Sequence, residues 1–388
     1  MRVPGLNTFA SSALALGLFL VSGARAQAPS AATFEDLARA AQAVLDSRPA
    51  EAAGLYKQAL AMRPDWAEGW LYMGAALYQL DRHAEATDAF RKGVALAPRQ
   101  GTGWAFLGLS EAELDDPDQA LADIRKGEEI GLGDNRQFEA AVRVKAAQLL
   151  IRSSSFDEAL SQLLPLSLHS ETVQAAEETM GLCALAIPTT LSELPPQKRA
   201  VVAVAGKAAW ASASQHPAEA AAAYRKMLDQ YPNEPGVHYA YGLYLRETDL
   251  AGALSEFQKE VQINPKHWPA LIGIASLQIR QGAADAAIQA LHQAAKIVPA
   301  RHRWLCHAEL GHANLILDHL DAAITEFETA ERLMPSNAQV RFFLAQAYRR
   351  LGRKEDAQRE TAEFEKLKLQ QDPLGVPALR LSTFSGGK

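Results

Sequence analysis

The chain has 388 residues, 48% of them hydrophobic and 22% charged, with a formal charge of −6. This is ordinary globular composition with room for several domains or one long array. The acidic balance argues against nucleic acid, whose binders present a basic face that displaces counterions.

Residues 1–26 read as a secretory signal peptide. Arg2 gives a positive start, an apolar run fills Phe9 to Val21, and Ala24-Arg25-Ala26 places small residues before a cut at Gln27. The run is shorter than the ~20 residues a membrane span requires, so cleavage is expected rather than anchoring, and the mature chain should hold no span. No cysteine lies near the cut to carry a lipid. The leader holds two bases and no acid, so its removal takes the formal charge from −6 to −8. The expected destination is the periplasm or the exterior.

From Thr33 onward the chain repeats itself. Helix-ending prolines fall at 64 and 98, then at 232, 265, 299 and 335, at spacings of 33 to 36 within each group. Each is preceded by an alanine and a large apolar residue at fixed offsets, as in Ala52/Tyr56, Ala86/Phe90, Ala220/Tyr224, Ala253/Phe257, Ala287/Leu291 and Ala323/Phe327. Ala120 and Ala357 mark two more copies without the proline. Upstream, Gly74, Gly108, Gly242 and Gly311, with Ala275 and Ala345 as variants, supply small residues where paired helices must touch. Each copy holds two runs of helical periodicity split by a short polar turn.

Residues 33–134 therefore read as a first array of three copies. Residues 135–199 hold a degenerate copy, a single helix with Ser170 as its expected N-cap, and a Pro-rich elbow at Pro188, Pro195 and Pro196 that is expected to pack rather than swing. Residues 200–371 read as a second array of five copies, and 372–388 as a Pro/Gly/Ser-rich tail that frays. Cys183 and Cys306 lie about three copies apart. At roughly 8–10 Å per helix layer they stay outside the ~7 Å limit for a disulfide, so both should be buried thiols.

This pattern resembles the tetratricopeptide repeat (TPR) family, whose period is 34 and whose signature runs W-x-x-L-G-x-x-Y, A-x-x-x-F, P. The resemblance implies an all-α, right-handed superhelical solenoid of helix-turn-helix repeats, here in two arrays joined by the elbow. Trp70 and Trp104 occupy its tryptophan position and should pack against the neighbouring helix.

Chemistry is sparse. No H-E-x-x-H, G-x-S-x-G, P-loop or C-x-x-C motif occurs. The cluster His302, Cys306, His307, His312 and His319 brings only His302 and Cys306 onto one helical face, and a metal needs ligands that converge. No cofactor is expected, and no segment outside the repeats is long enough for a catalytic domain.

In the resembled family a concave groove is lined by the first helix of each pair. Carried residue by residue onto this chain, its positions include Tyr78 and Glu113 in the first array and Tyr239, Arg246, Ile272, Arg280, Phe342, Arg349 and Arg350 in the second. The lysine–asparagine clamp of chaperone-binding members is absent, since Leu71/Ala75, Ala105/Leu109 and Ile272/Ser276 stand there. The four arginines suggest a groove for an extended acidic segment, and cations favoured at helix C-termini are the plainer account. The acidic run Glu111, Glu113, Asp115, Asp116, Asp118 reads as a solvated turn, with steering of a basic partner as its alternative.

The reading is an exported, non-catalytic scaffold that binds protein segments. Two alternatives stand beside it. One is a small-molecule or glycan sensor using Tyr239, Tyr241 and Tyr244, and the other an enzyme or enzyme subunit with a His/Cys site within 302–319.

Overall fold

The computed structural model describes residues 32–168 and 174–371, so the expectations for the signal peptide, the tail and the Ser170 cap lie outside the described residues. No strand occurs among them, and no described helix is long and apolar enough to cross a membrane. The chain divides into two compact units, the first ending at Thr179 and the second beginning at Met180.

The first unit holds four helix pairs: α1 (Phe34–Val44) with α2 (Pro49–Met62), α3 (Ala67–Gln79) with α4 (His83–Leu96), α5 (Gly101–Glu113) with α6 (Pro117–Ile130), and α7 (Arg136–Arg152) with α8 (Phe156–Ser167). The division falls inside α9 (Gln174–Ala184). The second unit holds five pairs: α10 (Pro196–Ala213) with α11 (Pro217–Gln230), α12 (Val237–Leu245) with α13 (Leu250–Ile263), α14 (Trp268–Arg280) with α15 (Ala284–Ala295), α16 (Arg303–Ile316) with α17 (Leu320–Leu333), and α18 (Ala338–Arg350) with α19 (Lys354–Gln371).

Each unit is a helical solenoid of tetratricopeptide-like pairs, and small residues are what let the pairs close. Ala52, Ala86, Ala120, Ala220, Ala253, Ala287 and Ala323 have no exposed surface at all. A Cβ added at Gly74 would sit 2.7 Å from the Phe90 ring, and one at Gly311 would sit 2.7 Å from Phe327. The second helix thus presses its aromatic into a notch that only glycine leaves open. Phe90 stacks on Phe106 of the next pair at 5.6 Å, and Phe327 on Phe343 at 5.9 Å. The core is therefore continuous from one pair to the next, as a solenoid requires.

The turns are as regular as the core. The residue five before the buried alanine takes a left-handed backbone at Asp81, Asp115 and Ser154 in the first unit and at Gln215, Gly282, Asp318 and Gly352 in the second. Ser154 stands five before Ala159, itself fully buried. The α7/α8 pair thus closes by the same turn as its neighbours, although Pro165 lies inside α8 rather than after it.

One pair departs. Gly242 and Ala253 are eleven residues apart where Gly74 and Ala86 are twelve. The position five before Ala253 is Thr248, a β-branched residue for which a left-handed backbone is costly. The missing residue shortens α12, which ends at Leu245 after nine residues, whereas α3 and α5 each run thirteen.

The Pro-rich segment belongs to the second unit. Ala186 packs against the Tyr239–Phe257 core cluster, and Arg199 donates to the carbonyls of Leu194 and Ser192 at 2.8 and 3.0 Å. Cys183 and Cys306 are both buried and free of any disulfide.

Candidate functional site

The groove positions read from the sequence do not form one surface. In the second unit Tyr239 is a core residue, with its ring 5.6 Å from Phe257 and 4.7 Å from His267. Ile272 is buried in the cluster of Leu271 and Cys306. Arg246, which caps the shortened α12, is buried and lies 3.3 Å from Glu247.

Arg349 donates to Thr361 at 3.3 Å, across to α19. Arg350 donates to the Leu315 carbonyl and pairs with Asp318, both at 2.6 Å, so it ties the end of α16 to the next pair. That is the work of a helix-end cation. Arg280, at the end of α14, and Phe342 are exposed, the latter 41%, with the Phe342 ring 5.5 Å from Phe364. The four-arginine patch on a single edge is therefore corrected: one member is buried and two are engaged in joining helices.

The first-unit candidates are also engaged. Tyr78 is buried, edge-on to His83 at 5.1 Å, and burial holds its hydroxyl well above the usual range. Glu113 pairs with Lys145 of α7 at 2.6 Å.

The aromatic set of the sensor reading also divides. Tyr241 and Tyr244 gather with Tyr224, with Tyr244 and Tyr224 4.7 Å apart, while Tyr239 joins the core instead. The histidine run scatters as well. His302 stacks on Trp268 at 5.3 Å, His307 meets Glu326 at 2.6 Å, and His312 lies 4.5 Å from Phe343. Burial, with Glu309 beside it, pushes the Cys306 thiol up to about 12, far from a reactive thiolate. Among the described residues no three His, Cys, Asp or Glu side chains converge to hold a metal ion.

What the sequence missed lies over the two tryptophans. Trp70 and Trp104 are half-buried rather than enclosed. Each indole N–H donates to the carbonyl of the preceding helix-ending proline, Trp70 to Pro64 at 2.8 Å and Trp104 to Pro98 at 3.0 Å. Each ring carries a lysine on its face, Lys92 at 4.3 Å and Lys126 at 3.4 Å.

Beside each ring the second helices of adjacent pairs leave a notch. The first is about 570 Å³, between α2 and α4, with Trp70, Met73 and Leu77 as its floor and Lys57, Asp88 and Lys92 on its walls. The second is about 560 Å³, between α4 and α6, with Trp104, Leu107 and Glu111 as its floor and Arg91, Asp116 and Asp123 on its walls. The floors are the same positions one repeat of 34 residues apart. That echo was the signal available in the sequence.

The two floors differ at two positions, Met73 against Leu107 and Leu77 against Glu111, and only the second changes the chemistry. Glu111 is 1% exposed, so it is not part of the solvated turn its sequence neighbours suggest. Arg91 donates to its Oε1 at 2.8 Å. Its Oε2 makes no hydrogen bond among the described residues, and the Asp123 carboxyl lies near enough to the group to raise it. Burial first, and that carboxyl second, outweigh Arg91 and push the acid up to about 7.

Comparison with known proteins agrees with this fold. Two family models described as Tetratricopeptide repeat match the chain, one at residues 37–101, 205–267 and 309–362, the other at 244–305, together more than half of its length. Among solved structures, MamA residues 41 to the end from Desulfovibrio magneticus RS-1 is 20% identical, with a TM-score of 0.40, over 44% of this chain and 97% of that one. A MamA RS-1 double mutant (ArsTM) is 19% identical over 45% and 97%, TM-score 0.40. Another MamA crystal structure is 16% identical over 47% and 100%, TM-score 0.39. No curated protein matches the chain.

Proposed function

The chain belongs to the tetratricopeptide repeat family, and on that premise we propose that it is an exported, non-catalytic scaffold that seats extended protein segments on its first unit. The family is generally one of protein-interaction scaffolds. The observation that carries the finer reading is the pair of notches over Trp70 and Trp104, the same recess repeated one unit further along the solenoid. A repeated recess suits a partner that is itself extended and contacts two adjacent pairs through side chains. Half-buried indoles are good anchors for such contacts, because they offer large rigid area at small entropic cost. The export half of the reading rests on the Arg2 start, the apolar run and the small residues before Gln27.

A photo-reactive residue placed at Gly54 or Ala95, each lining one notch, tests the binding half in the native compartment. Protein adducts from both sites are expected. Adducts from Phe342 with none from either notch would move the binding surface to the second unit. N-terminal sequencing of the exported protein should read from Gln27, and a mature chain that keeps Met1 would refute the leader.

A further inference from the structure

The second notch has a chemistry that the first lacks. Its floor and walls bring together three carboxyl groups, Glu111, Asp116 and Asp123, against the single guanidinium of Arg91. Asp116 caps α6 by accepting from the Gln119 N–H, and Asp123 accepts from the Gln119 amide at 3.1 Å. Glu111 is almost wholly buried, one of its oxygens makes no hydrogen bond, and the Asp123 carboxyl lies beside the group. A buried carboxyl beside another carboxyl is unfavourable unless a proton or a cation lies between them; Glu111 holds a proton readily, and a cation that enters the notch would displace it.

Two further observations select what that cation is. The three carboxyls do not converge as metal ligands, since no such group of three exists among the described residues. The Trp104 face already draws a cation, the Lys126 ammonium at 3.4 Å. An organic cation on an apolar stem fits both: its head reaches the acids, and its methylenes lie along Trp104, Leu107 and Val94.

We infer that the notch over Trp104 is a receptor for one basic side chain, a lysine or arginine, of the protein segment that docks on the first unit. The notch over Trp70, where Leu77 replaces the acid and Lys57, Arg82 and Lys92 line the walls with Glu85 and Asp88, has no buried acid on its floor to draw such a side chain. This assignment rests on the scaffold reading and supplies the chemistry of its partner.

The test uses the full mature chain and two capped pentapeptides, Ala-Leu-Lys-Leu-Ala and its counterpart with Glu in place of Lys, followed through the Trp104 indole N–H resonance. The lysine peptide should shift that resonance in a saturable way and the glutamate peptide should not. Asp123→Asn and Glu111→Gln, which keep shape and remove charge, should each weaken the lysine peptide about tenfold or more. Asp118→Asn, an exposed change on the same helix, should leave it within about twofold, as befits a screened surface charge. Equal response to both peptides, or full binding by Asp123→Asn, would overturn the assignment. Asp123→Asn decides alone if circular dichroism shows that Glu111→Gln does not fold. Adducts from both notches together with a failed peptide test would leave the scaffold reading standing and remove only this chemistry.

Discussion

The two units solve the same local problem with different chemistry. Four residues before the small helix-contact residue, the first unit has Trp70 and Trp104, and the second has His238, Leu271, His307 and Arg341. His238 still reaches the proline carbonyl, Pro232 at 2.9 Å, as the tryptophans do. Its other ring nitrogen meets Glu256 at 2.5 Å. Lys259, in the register of Lys92 and Lys126, turns to Glu256 at 2.7 Å instead of lying on a ring. His307 with Glu326 and Arg341 with Glu360, both at 2.6 Å, repeat this ionic version. At His238 the proline carbonyl is thus met by an imidazole that also holds an acid, where the first unit uses an indole under a lysine. The indole solution leaves recesses beside the rings, which is where the candidate site lies.

The largest test of the comparison is whether the units are separable. Phe90 and Phe257 are fully buried at equivalent positions. Replacing either by Ala should cost about 3–5 kcal/mol. Hydrogen exchange should show Phe90→Ala opening residues 67–130 and Phe257→Ala opening 237–280, each sparing the other unit. If either change strips protection from both units equally, the chain is one cooperative block and the contrast is only local.

Next in size is the acid–base version itself. Glu256 is 8% exposed and holds both His238 and Lys259. Glu256→Ala should cost about 1.5–3 kcal/mol, the range for hydrogen bonds to charged groups. A denaturant midpoint within error of wild type would show that the histidine bond to Pro232 suffices.

A smaller effect comes from Glu309, which stands two before Gly311, where the first unit has Tyr72 and Phe106 two before its glycines. Burial pushes this acid up to about 8, opposed only by Ser276. The folded state then keeps a proton that the unfolded chain releases near 4.5. The stability this group contributes is full below about pH 4.5, falls as pH rises, and is lost above about 8. Glu309→Gln stays neutral throughout, so it should flatten that slope and be more stable than wild type at pH 8.5. An unchanged slope in melts at pH 5 and 8.5 would show that the acid is solvated.

Much of this was legible in the sequence, for a physical reason. Ala86 and Phe90 meet Gly74 within sixteen residues, so the contact that defines a pair is written locally. The fourth pair of the first unit was harder to read because Pro165 falls inside α8, while the turn at Ser154 that identifies it shows only as a backbone angle. The site was read least well. Carrying groove positions from repeat to repeat assumes equal turns, and the residue missing between Gly242 and Ala253 breaks that assumption at Arg246. Glu111 looked like part of an acidic surface run, because composition does not reveal that it falls where Leu77 packs. Arg349 and Arg350 share a sequence pattern but point to different helices, and only the fold separates them.

The smallest effect is the most specific to the first unit. Lys92 and Lys126 lie on the faces of Trp70 and Trp104, and cation–π contacts at exposed sites contribute about 0.5–1 kcal/mol each. Lys126→Met keeps most of the aliphatic stem and removes the charge, so packing on the indole is largely retained and the loss should stay within that range. The change should also shift the Trp104 indole N–H resonance and leave that of Trp70 in place. Because the ammonium is drawn by the ring's quadrupole at short range, added salt should weaken this term less than it weakens the exposed Arg82–Glu85 pair. Removing the resident cation also frees one face of the ring. Lys126→Met should therefore bind the lysine pentapeptide at least as well as wild type, whereas Lys92→Met should not change that binding. If Lys126→Met abolished it, Lys126 would be part of the receptor rather than a competitor for its floor, and the acids of the notch would lose their role as its main attraction.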